Sequence, residues 1–173
     1  MTVVYVPATL AMLRRLVAQG ALAPVSGIAF AVTPALREAY AEGDDDELAE
    51  VALREAALAS LRLLAAEHDA GTAGLPPRRA VLIAEVDLGE SGAQYRPELD
   101  DAVVKLGVPV TMDRVIAAYV DTAEAEPDVV AAIDAVDAAD LGDEDAELAV
   151  GDAQDHDLAW YATQELPFLL ELL

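Results

Sequence analysis

Ala80-Val81-Leu82-Ile83-Ala84-Glu85-Val86 decides the fold class. Apart from Glu85 it is apolar at every position, so it reads as a strand covered on both faces, central in a sheet with helices around it. Upstream, Val3-Val4-Tyr5-Val6 is a β-branched and aromatic run closed by Pro7. Thr9 then caps a helix over 10–19, where Leu10, Leu13, Leu16 and Val17 form an apolar stripe that Gly20 ends. Ile28-Ala29-Phe30-Ala31-Val32 reads as a second buried strand, and Thr33-Pro34 opens a short helix through Tyr40 that stops at Gly43. Asp44-Asp45-Asp46-Glu47 starts the longest helix, over 45–67. Acids favour the N-terminal end of its dipole, and His68 lies at the opposite end. Leu48, Val51, Leu58 and Leu61 make its stripe, which Leu53, Ala57 and Leu64 widen.

Downstream of the central strand the reading is a loop at 88–100, strands at 102–106 and 115–120, and a helix at 124–136 with Pro127 in its first turn. Residues 137–157 hold nine acids in 21 positions and few large apolar groups, which predicts a mobile acidic linker. A final helix over 155–165 carries Leu158, Trp160, Tyr161 and Leu166, with Pro167 disrupting its end. The expected architecture is α/β (mixed α+β), a single domain. Its core spans 1–136, its acidic linker 137–157, and 158–173 holds a C-terminal helix packing on or near the core. One mixed sheet of four to five strands is flanked by helices.

The 173 residues suffice for one domain with its own core. Alanine accounts for 37 of them, so the 55% hydrophobic content overstates the volume available to the core. A single lysine, Lys105, stands against nine arginines, a bias that fits a GC-rich genome and equally a halophile. The net charge of −23 is the most unusual global feature. It disfavours direct binding to nucleic acid or to an anionic membrane and favours basic partners or cations. No apolar run is long enough to span a bilayer, and Met1 to Pro7 lacks the basic and apolar segments of a signal peptide, so a cytoplasmic protein is expected.

Chemistry is bounded mainly by exclusion. With no cysteine there is no disulfide, thiolate metal site or cysteine nucleophile. Two histidines, His68 and His156, and three serines, Ser26, Ser60 and Ser91, are present, none in a Gly-x-Ser-x-Gly elbow. Neither phosphate-binding glycine loop occurs. No catalytic residue, cofactor or metal is therefore assigned. The acids at 44–47 are consecutive and run straight into a helix, unlike the alternating oxygen ligands of a calcium loop, and capping explains them. Asp152, Asp155 and Asp157 surround His156, but neighbours on a helix point in different directions and do not converge on one ion.

Two groups of residues remain as candidates. Arg14, Arg37 and Tyr40 form a candidate polar pocket, although arginines in so acidic a chain more often pair within the fold, as Glu50 and Arg54 would at i and i+4. Trp160 and Tyr161, with Asp143, Glu144, Asp145 and Glu147, form a candidate interaction surface, since Trp and Tyr are common interface anchors.

Three stretches together, Val4-Tyr5-Val6-Pro7-Ala8-Thr9, the span from Phe30-Ala31-Val32-Thr33-Pro34-Ala35-Leu36-Arg37 to Leu61-Arg62-Leu63-Leu64-Ala65, and Trp160-Tyr161-Ala162-Thr163-Gln164-Glu165-Leu166, resemble a family of uncharacterised proteins from high-GC actinobacteria. The resemblance covers most of the chain except 88–100 and 137–157. It favours the GC-rich explanation of the composition and implies no activity. Two functions stay in view. One is a non-enzymatic acidic module that binds a basic protein partner through salt-sensitive steering. The other is a small-molecule-binding protein or enzyme with a pocket at the ends of the sheet. Nothing in the sequence sets an oligomeric state.

Overall fold

Seven residues of the first strand pair with all seven of the central one, from Thr2↔Val86 to Ala8↔Ala80, and this antiparallel ladder is the spine of the molecule. The computed structural model describes residues 1–72, 74–89 and 92–173. Its strands are β1 Thr2–Ala8, β2 Ala21–Leu22, β3 Ile28–Phe30, β4 Ala80–Val86, β5 Ala93–Tyr95, β6 Val103–Leu106, β7 Val110–Thr111, β8 Val115–Val120 and β9 Ala159–Ala162. Its α-helices are α1 Leu10–Gln19, α2 Pro34–Ala39, α3 Asp45–Asp69, α4 Glu126–Asp140, α5 Glu144–Gln154 and α6 Leu166–Glu171. One sheet runs in the order β5-β6-β3-β1-β4-β8-β9, and β2 pairs with β7 in a small second sheet.

The sheet is larger than the four to five strands expected, and its strand pairs are antiparallel rather than mixed. The strands beyond the expectation are short, between two and four residues, and carry little periodicity of their own. One of them, β5, lies inside the segment read as a loop.

Side-chain alternation sorts the core into layers. Val4, Val6, Leu82, Ala84, Ala118 and Val120 meet Leu13 and Leu16 of α1 and Leu166, Leu169 and Leu170 of α6. Phe30, Val81, Ile83 and Ala117 point the other way, onto Leu36 of α2 and Leu48, Ala52 and Ala56 of α3. Burial on both faces is why β4 is apolar nearly throughout. A third cluster joins Leu61, Leu64 and Ala65 of α3 to Val129, Ala132 and Val136 of α4 and Ala153 of α5. Arg62 of α3 reinforces that seam with a two-pronged contact to Asp140 of α4, at 3.1 and 2.8 Å. The guanidinium holds the Asp140 carboxyl below the usual carboxylate range.

Residues 137–157 do not form a linker. α4 continues to Asp140, Gly142 turns the chain at φ 93°, and α5 follows. The acids build this helix: Asp143 accepts from the Ala146 N–H at 2.9 Å, and Glu144, Asp145 and Glu147 occupy the first turn, where the dipole favours negative charge. Large apolar residues are not needed, because α5 is seated through Ala146 and Ala153.

The expected helix at 155–165 is also replaced. Its middle is the edge strand β9, registered with β8 from Val120↔Ala159 to Ala117↔Ala162. Pro167 opens α6 instead of ending a helix, because the first turn has no use for its missing N–H.

Candidate functional site

Nine arginines and one lysine face 33 carboxylates in this chain, so an arginine without a carboxylate partner stands out. Arg37, Arg62, Arg78, Arg79, Arg96 and Arg114 each form an ion pair. Among the described residues Arg14, Arg15 and Arg54 form none, and all three line clefts.

The larger cleft has a volume of about 810 Å³. It opens beyond the end of the sheet where β1 hands over to α1 and β4 begins. Thr9 fixes the start of α1 by accepting from the Met12 N–H at 3.2 Å. With Leu13 and Leu16 turned into the core, Arg14 and Arg15 are left exposed on the flank of α1. Leu64, Glu67 and His68 supply the wall from the end of α3, where the carbonyl end of the helix favours a cation. Leu75, Pro76 and Pro77 form the floor before β4, and Val130, Ile133 and Asp134 close the cleft from α4. The surface is therefore largely aliphatic, with two arginines and a histidine set against two carboxylates.

A smaller cleft of about 240 Å³ lies among α3, α5 and the approach to β9, with Arg54 on its rim. Its lining also includes Arg79, Gln154 and His156, which belong to a deeply buried polar cluster. Arg79, 1% exposed, grips Asp121, fully buried, through Nε at 2.9 Å and Nη2 at 2.8 Å. The Arg79 backbone N–H donates to the same carboxylate at 2.8 Å. Nη1 donates to Gln154 Oε1 at 2.7 Å, and Nη2 also donates to the His156 carbonyl at 3.0 Å. His156 Nε2 in turn lies 2.7 Å from Asp128 Oδ2 of α4. Three regions distant in sequence, at Arg79, at Asp121 to Asp128 and at Gln154 to His156, are thus fastened together.

A family model matches residues 2–170. The chain belongs to DUF6912, a family of unknown function. Searches of curated proteins and of solved structures found no match. In this DUF6912 chain the residues singled out from sequence are dispersed. Arg14 lines the large cleft, whereas Arg37 is ion-paired with Asp45 and sits with half-exposed Tyr40 at α2, whose Leu36 packs on the other face of the sheet. The Glu50–Arg54 pair expected at i and i+4 is not among the ion pairs of the described residues, and both side chains line the smaller cleft instead.

Trp160 and Tyr161 follow one another on β9, so they point to opposite faces. Trp160 is exposed opposite Tyr119, while Tyr161 packs towards the α1 side of the core. The acids at 143–147 belong to a separate element, the first turn of α5. His156 pairs with Asp128 rather than with its neighbours in sequence, and among the described residues no group of three metal-ligating side chains converges. Of the serines, Ser60 is buried in contact with strand backbone and Ser26 lies in a 3-10 turn, while Ser91 is outside the described residues.

Sequence reasoning missed Arg15, His68, Arg79 and Asp121. The last two left a signal: each is a charge at the end of an apolar run, immediately before β4 and immediately after β8. Antiparallel pairing of those runs brings such ends together.

Proposed function

We propose that this protein binds a small molecule in the 810 Å³ cleft between α1, α3 and α4. The observation that carries the reading is the cleft itself: its volume falls in the range of ligand sites, and its walls are aliphatic with a few convergent polar groups. It also lies at a sheet end, where such pockets recur. A neutral apolar fluorophore, N-phenyl-1-naphthylamine, provides the test. Its emission should rise on binding the wild-type protein. Val130→Trp, at an exposed α4 position on the cleft wall, should reduce that gain at least about fivefold by filling the site, with the urea midpoint unchanged. Equal emission from the two proteins would sink the reading.

A second reading, a docking face for a basic protein partner, rests on Leu141 and Leu148. They stand exposed beside Asp143, Glu144, Asp145 and Glu147. It ranks lower because helix capping already accounts for these acids. No helix among the described residues is long and apolar enough to cross a membrane.

A further inference from the structure

We infer that the occupant of this cleft is a monoanionic aliphatic amphiphile, an alkyl carboxylate, bound with its carboxylate against Arg14 and Arg15 and its chain along the Leu75–Ile133 wall. The inference rests on the cleft being a ligand site and deepens it with an independent observation, the distribution of arginine partners. Carboxylates outnumber basic side chains about three to one in this chain, and six of the nine arginines have found one. Among the described residues Arg14 and Arg15 have not, although Glu67 and Asp134 line the same cleft. Two guanidinium groups that line one cleft and form no ion pair among the described residues are donors ready for an exogenous carboxylate, with the planar geometry that its oxygens match.

The charge of the ligand follows from the surroundings. Within the cleft the two arginines are balanced by Glu67 and Asp134, and the molecule as a whole carries −23. For a dianion such as a phosphate monoester, the doubled attraction to the arginines is offset by doubled repulsion from Glu67 and Asp134. Repulsion from the net charge of the molecule is twice that felt by a carboxylate. The body of the ligand follows from the wall. It is built mainly from leucine, isoleucine, valine and proline, with no phenylalanine, tyrosine or tryptophan among the described lining residues.

Displacement of N-phenyl-1-naphthylamine by decanoate, decan-1-ol and decyltrimethylammonium separates the two levels of the reading. Decanoate should displace the probe at concentrations about tenfold below decan-1-ol, as expected for charge-assisted hydrogen bonds at a half-exposed site, and the cation should be weakest. The double variant Arg14→Gln, Arg15→Gln should bring decanoate to the level of decan-1-ol or below it, since Glu67 and Asp134 then stand unbalanced. It should leave decan-1-ol itself unchanged, which also shows that the variant is folded. The double variant Glu67→Gln, Asp134→Asn should strengthen decanoate severalfold. If decan-1-ol matches or exceeds decanoate while Val130→Trp still blocks the probe, the ligand class falls and the cleft stands. If the probe binds but none of the three displaces it, the class likewise falls. If Val130→Trp leaves probe binding intact, both fall.

Discussion

Replacing Asp121 with alanine should lower the free energy of unfolding by about 3–5 kcal/mol, the loss expected when one partner of a buried ion pair is removed. The carboxylate receives three hydrogen bonds from Arg79, two from its guanidinium and one from its backbone N–H, and both side chains are sealed from water. The truncation therefore strands a guanidinium whose remaining partners, Gln154 and the His156 carbonyl, are neutral. A paired replacement, Arg79→Met with Asp121→Leu, should recover much of the loss, because it removes both charges together. Urea unfolding followed by far-ultraviolet circular dichroism checks both values. A cost below about 1 kcal/mol for Asp121→Ala would mean that the pair is not the fastening it resembles.

The second large effect is expected at Ser60. Its hydroxyl, fully buried, donates to the Ala8 carbonyl at 2.7 Å and accepts from the Ala80 N–H at 3.0 Å. Ala8 and Ala80 are the terminal registered pair of the β1–β4 ladder, so a side chain of α3 completes the last rung of the sheet. Ser60→Ala removes one hydrogen bond from the Ala8 carbonyl and one from the buried Ala80 N–H, at about 1–2 kcal/mol each, or about 2–4 kcal/mol together. Hydrogen exchange should locate the damage: the Ala80 amide should lose protection before amides at the middle of β4. Uniform loss along the strand would contradict that placement.

How much was legible in the sequence depended on which force shaped each segment. β4 and β8 were readable because their burial writes an unbroken apolar run, and α1 because a capping threonine, a leucine stripe and a terminal glycine all agree. α5 was unreadable as a helix because its buried contacts are alanines, which leave no hydrophobic contrast, and its capping acids resemble a solvated tail. β9 was mistaken for a helix because four residues with two adjacent aromatics carry no period. What makes them a strand is the free edge of β8, a feature of the tertiary fold.

The candidate site followed the same division. Arg14 could be named from sequence, but its companions are Arg15, the next residue of α1, and His68 from another helix. Their grouping depends on α1, α3 and α4 meeting past the sheet end. The absence of a carboxylate partner, the property that makes these arginines informative, belongs to three-dimensional arrangement alone.

The place of β1 in the strand order also bears on how the chain folds as it is made. β1 leaves the ribosome before each of its partners yet becomes an interior strand of the finished sheet, and its longest ladder is with residues 80–86. Until residues 80–86 have been synthesised, that side of β1 has no neighbour, and only the short β3 can protect the other. Closure of so long a loop must precede the reward of pairing, which puts refolding on the slow, millisecond-to-second side of the range for single domains. Over that interval the apolar β1 depends on α1, the helix that immediately follows it, for cover, and the nascent chain is most exposed to association with its own kind.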